Sequence, residues 1–276
     1  MECIWKQNHF YISDYWAENL DNYVKGVMTK NTSAVIIFDG RSGLGKTTLA
    51  GQTSCYLHNQ ITKYMGEDTP DFNLDCLTWT PDAFIEKLQH AKKGDIVPLD
   101  EGMILSNRST LSEMNKMVVQ MMSMIRSKQI FVIICINSIF DMDKNLSLHR
   151  ADCLVHLYAE DDKFATRGRY IVIPSAKGKL KNLYIYGKKL YDYSSARPAF
   201  YDHFGKFFPY DEAEYERRKQ EAINNYFNND KKNSFKVRES RDNAIRYLKE
   251  NYDLGVDELA QAFSLDEKTI YRILKK

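Results

Sequence analysis

Paired cysteines, charge of one sign and long apolar runs are all missing from this 276-residue chain. Its five cysteines, Cys3, Cys55, Cys76, Cys135 and Cys153, stand singly without C-x-x-C spacing, which argues against a disulfide scaffold and for reduced, packed thiols in a cytoplasmic protein. The first ten residues, MECIWKQNHF, lack the apolar run of a signal peptide. The longest wholly apolar stretch, Ile130 to Ile136, is far too short to cross a bilayer, so no membrane is expected as a partner. A formal net charge of +2 gives no global field, so a polyanionic partner has to be met by local clusters of charge.

Glycine is sparse, yet Gly40, Gly43 and Gly45 fall within six residues, in Gly40-Arg41-Ser42-Gly43-Leu44-Gly45-Lys46-Thr47-Thr48. This fits the phosphate-cradling pattern G-x-x-x-x-G-K-[ST]. Ala34 to Phe38 before it reads as a buried strand, and Lys46 to about Met65 after it, free of proline, as a helix. Glycines let the loop turn its N–H groups inward, and the helix N-terminus adds partial positive charge. Lys46 is expected to bridge the terminal phosphates of ATP, and Thr47 to hold Mg²⁺.

Four more strand candidates follow: Cys76 to Trp79, Asp95 to Leu99, Gln129 to Asn137 and Asp152 to Tyr158. Thr80-Pro81 opens a short helix closed by Gly94, and Leu111 to Ser127 carries apolar residues at helical spacing. Strands alternating with helices predict an α/β fold with a mostly parallel sheet and ligands at its carboxyl edge. The run Ile96-Val97-Pro98-Leu99 ends in Asp100-Glu101, where the aspartate can join the Mg²⁺ shell and the glutamate can polarise an attacking water. Pro98 is unusual inside a central strand, because it removes a ladder donor.

Residues 33 to 160 resemble the P-loop ATPases that carry an extra strand between the phosphate-loop strand and the acidic strand, with a catalytic glutamate after the aspartate. The resemblance implies a RecA-like sheet and a polar sensor of the γ-phosphate after the next strand, a position matched by Asn137. It also implies a ring in which an arginine of one subunit reaches the nucleotide of the next. Arg126 is the preferred candidate, Arg150 the second, and Arg108 a third.

From Lys163 to Lys189 there are eight lysines and arginines and no acidic residue, with Tyr170 to Ile173 and Leu183 to Gly187 reading as short strands of added β-hairpins over about 163–193. Lys177, Lys179 and Lys181 can track a phosphate backbone or simply guard a sheet edge. Residues 1–32 read as an N-terminal helical arm, 33–227 as the ATPase domain, 228–236 as a polar linker and 237–276 as a small all-α domain. Its segment GVDELAQAFSLDEKTIYRILKK resembles a helix-turn-helix, which implies base or phosphate contacts from Lys268, Thr269, Tyr271 and Arg272, with Lys275 and Lys276 nearer phosphate. A protein-docking trihelical module has the same core.

Together these parts resemble the FtsK/HerA-like double-stranded DNA translocases, a group with phage packaging ATPases and zonula occludens toxin-like proteins. The resemblance implies an ATP- and Mg²⁺-dependent homo-oligomeric ring acting on double-stranded DNA, with a portal or nuclease as a possible protein partner. An AAA+-like loader, and a kinase or nucleotide sensor fused to a DNA-binding module, remain open at this level.

Overall fold

The computed structural model describes residues 1–100, 125–142, 144–160, 168–252 and 254–275. Glu101, Arg108, Lys163, Arg167 and Lys276 lie outside the described residues, as does the expected helix from Leu111 up to its last residues, Ile125 to Ser127. The chain divides into two compact units, Met1–Lys219 and Gln220–Lys276.

The first unit is mixed α/β around a six-stranded sheet. Its strands are β3 (Ala34–Asp39), β4 (Ile96–Leu99), β5 (Phe131–Cys135), β6 (Cys153–Tyr158), β7 (Arg169–Pro174) and β8 (Phe200–His203), in the order β4-β5-β3-β6-β7-β8. The four strands β4, β5, β3 and β6 run parallel, while β7 and β8 add antiparallel pairs beyond β6. β3 and β5 are buried at every residue, as expected of parallel strands covered on both faces. β5 separates β3 from β4.

Helix α2 (Lys46–Met65) follows the glycine-rich loop at the boundaries its sequence predicts. Helix α3 (Pro81–His90) starts at Thr80, whose hydroxyl caps Ala83 N–H, with Pro81 in the first turn where its missing donor costs nothing. Pro98 is explained by position. Among the described residues β4 is the terminal strand of the sheet, bridged on its outer side only by Thr78, whose N–H donates to the Pro98 carbonyl at 2.9 Å.

Several expected elements differ. Cys76 to Trp79 contributes that single bridge rather than a strand, because Asn73 caps a 3₁₀ turn at Leu74–Cys76 and uses up the start of the segment. The N-terminal arm is not purely helical: β1 (Glu2–Trp5) and β2 (Asn8–Tyr11) form a hairpin that buries Cys3, Trp5 and Phe10 before helix α1 (Asp14–Thr29). α1 is tied to α2 by the Trp16 indole N–H, which donates to Thr53 Oγ1 at 3.0 Å. Two short helices flank the β6–β7 pair in the chain, α4 (Lys144–His149) preceding β6 and α5 (Lys179–Asn182) following β7. Leu183 to Gly187 is a π-helical turn continuing α5, not a hairpin strand. Leu180, Leu183, Tyr184 and Gly187 are buried at helical spacing, and this stripe outweighs the strand-like tyrosine and isoleucine content.

Helix α6 (Glu212–Tyr252) contains residues 228–236, so the expected polar linker is helical. In the second unit, α7 (Val256–Phe263) and α8 (Glu267–Leu274) pack with α6 through Ile245, Leu259, Ala260, Ile270 and Ile273. Ser264 in the left-handed region ends α7, and Asp266 caps α8 through Thr269. Among the described residues no helix is long and apolar enough to cross a membrane.

Candidate functional site

The glycine-rich loop leaves the carboxyl end of β3 with positive φ at Gly40, Gly43 and Gly45 (136°, 82° and 93°), conformations that side chains resist. A Cβ on Gly40 would run into the Leu157 carbonyl, so the loop can lie against β6 only with glycine there. Gly45 is the N-cap residue of α2 and offers no side chain, which leaves the first N–H groups of the helix open to an anion.

Lys46 Nζ donates to the carbonyls of Gly40 (2.7 Å) and Arg41 (3.1 Å) and to Asn137 Oδ1 (3.2 Å). The lysine of the loop and Asn137, two residues past the end of β5, therefore meet. Thr47 Oγ1 donates to Asp100 Oδ1 at 2.9 Å, which joins the loop to the end of β4. These are hard oxygen donors at a helix N-terminus, of the kind that could share in holding a magnesium ion.

Two cavities flank the loop. One, about 410 Å³, is lined by Ser42, Gly43, Gly45, Lys46, Thr47, Thr48 and Asp100 on one side and by Lys206, Phe208, Glu212, Tyr215, Glu216 and Lys219 on the other. Burial first, and then the neighbouring Asp100 carboxylate, push the Tyr215 hydroxyl far above its ordinary pKa, so it remains a donor; it donates to Asp100 Oδ2. The second cavity, about 460 Å³, opens on the Gly40 side between the loop and β6, with Asn137, His156 and three tyrosines in its wall.

Asp39, immediately before the loop, is fully buried. Its Oδ2 accepts from Ile139 N–H (2.8 Å) and the Tyr193 hydroxyl (2.6 Å), and its Oδ1 lies 2.8 Å from His156 Nδ1. Sequence reasoning missed this cluster and the Tyr215, Lys206 and Lys219 wall. Only His156 left a local signal, as a lone titratable residue inside an apolar strand.

The remaining predicted residues lie elsewhere. Arg126 sits in a 3₁₀ turn before β5, where its carbonyl meets Ser33 at the start of β3, so within one chain it belongs to the sheet edge opposite Lys46. Arg150 precedes β6 at that same edge. Lys177 and Lys181 are exposed and Lys179 partly buried, on helical turns instead of a hairpin. In the second unit Lys268, Tyr271 and Arg272 are exposed on α8, while the Thr269 hydroxyl is engaged by Asp266 at 2.9 Å. Glu101 lies outside the described residues.

No protein-family model matches the chain, and no match to a curated protein was found.

Proposed function

We propose that this protein is an ATP-hydrolysing, ring-forming motor that binds double-stranded DNA and translocates or packages it. The observation that carries the reading is the convergence of Lys46, Thr47, Asp100 and Asn137, from three separate strand ends, on one glycine-rich loop. In this reading the loop N–H groups and Lys46 hold the phosphates, and Thr47 and Asp100 hold Mg²⁺. The ion supplies charge neutralisation on the phosphates when bound. Asn137 senses the terminal phosphate, Glu101 polarises water, and Arg126 or Arg150 of a neighbouring subunit completes the site from outside.

DNA contacts are assigned to Lys177, Lys179 and Lys181 in the first unit, and to Lys268, Tyr271 and Arg272 on α8 as a recognition helix, with Thr269 committed to its cap. The antiparallel strands β7 and β8 that follow β6 favour this motor over an AAA+-like loader, which would carry a helical lid there.

The test is steady-state ATP turnover without nucleic acid, with single-stranded DNA and with duplex DNA, using Glu101→Gln as the blank. Strong stimulation by duplex and a dead variant support the motor. Turnover indifferent to DNA would remove it in favour of a kinase or a nucleotide sensor.

A further inference from the structure

Three acceptors of the Lys46 ammonium, Gly40, Arg41 and Asn137, line the second cavity, the one that opens toward β6. Lys46 itself lines the other, together with Thr47, Thr48 and Asp100. Lys46 thus stands between the two cavities, and as it meets the outermost phosphate in a loop of this kind and touches Asn137, the sensor proposed for that phosphate, the β6-side cavity adjoins the terminal-phosphate end.

His156 projects from β6 into the wall of that cavity and is held there on two sides. Its ring stacks on Tyr193 with centroids 3.6 Å apart and planes 18° apart, and its Nδ1 faces Asp39 Oδ1. The Asp39 carboxylate already takes the Ile139 N–H and the Tyr193 hydroxyl as donors and has only acceptor capacity left for the ring. The network therefore assigns the hydrogen on Nδ1 to Asp39, which leaves Nε2 as the ring nitrogen that can exchange a proton with the cavity. The His156 side chain is 15% exposed and the Asp39 side chain not at all. This is the arrangement of a base oriented by a buried acid, set beside a phosphate-binding loop.

We propose that His156 is a catalytic residue for cleavage of the terminal phosphate, and that Asp39 and Tyr193 are its positioning residues. The water oxygen attacks the terminal phosphorus as the bond to the bridging oxygen breaks and its electron pair leaves with the nucleoside diphosphate. His156 Nε2 takes one proton from the water and later returns it to solvent. The proposal rests on the phosphate loop binding ATP and is independent of any role for Glu101.

The experiment measures ATP affinity and single-turnover ATP cleavage separately, in the full chain, for wild type, His156→Ala, His156→Gln and Tyr193→Phe. Expected are ATP affinities close to wild type throughout, and a loss of cleavage rate of about 100-fold or more in both His156 variants. Added imidazole should restore part of the rate to His156→Ala alone, since the vacated cavity admits it, and Tyr193→Phe should fall between. A His156→Ala protein that binds and cleaves ATP at the wild-type rate overturns the proposal. So does a loss of cleavage that merely follows a loss of ATP affinity without imidazole rescue, which marks a structural residue. Wild-type protein that binds ATP but never cleaves it overturns this proposal together with the hydrolysis reading, and failure to bind ATP removes the phosphate-loop reading itself.

Discussion

The hydroxyl of Tyr215 donates to Oδ2 of Asp100 while Thr47 occupies Oδ1, so an acid at the end of β4 is clasped by hydroxyls from α2 and from the first turns of α6. Tyr215 is 5% exposed and packs edge-on against Phe208 at 5.2 Å, which fixes the phenol in place. Tyr215→Phe keeps that packing and removes one donor from a buried carboxylate. It should lower stability by about 1.5–3 kcal/mol, read as a reduced urea midpoint with unchanged m-value.

Glycine substitutions in the loop should separate by their surroundings. Gly43→Ala meets open space at φ 82° and should cost only the strain of a left-handed alanine, about 1–2 kcal/mol. Gly40→Ala combines φ 136° with collision against the β6 backbone, and Gly45→Ala places a methyl 2.9 Å from the Phe204 ring. Both should be more damaging than Gly43→Ala in thermal unfolding, with Gly40→Ala the worst because a backbone carbonyl cannot swing aside.

Asp152 Oδ2 accepts from Val35 N–H at 2.7 Å, but burial outweighs this and raises its carboxyl above the ordinary value. The folded protein therefore holds this proton more tightly than the unfolded chain. The group's contribution to stability is full below the ordinary carboxylate range and is lost as pH rises through the raised value. Asp152→Asn should flatten that part of the profile, checked by urea midpoints at about pH 4 and about pH 7.

Asp100→Asn should weaken ATP binding in the presence of Mg²⁺ and leave binding in EDTA nearly unchanged, since it alters the ion's partners and not the loop amides. Calorimetric titration with and without the metal tests this.

On DNA, the triple change of Lys177, Lys179 and Lys181 to Ala should weaken binding equally for all sequences and flatten its dependence on salt by up to about 0.9 log units per lost phosphate contact. Arg272→Ala should instead reduce discrimination between sequences. Both follow from competition measurements at several salt concentrations.

What was legible in the sequence was local. The apolar β3, the loop glycines and α2 are written in consecutive residues, and so is the acidic end of β4. Asn137 was reached only through the resemblance, yet it stands beside Lys46. The hairpin of residues 2–11 hid behind a short alternation of Cys3 and Trp5. The Leu183–Gly187 turn carried helical spacing that strand-forming tyrosines masked. Asp39 with Tyr193 and Asp100 with Tyr215 are partners 154 and 115 residues apart, and no local pattern encodes such pairs.

The Gln52 amide reaches from the second turn of α2 to the carbonyls of Gly205 (2.9 Å) and Phe207 (2.7 Å), and Pro209 rests on Gly51. The glycine-rich loop and its helix thus carry a cover of chain that arrives only after the whole sheet has been laid down. A polypeptide ending near residue 160 would possess every motif residue of the loop and still lack one wall of the cavity beside it, so during synthesis that cavity is completed last, once residues 204–219 have emerged and docked.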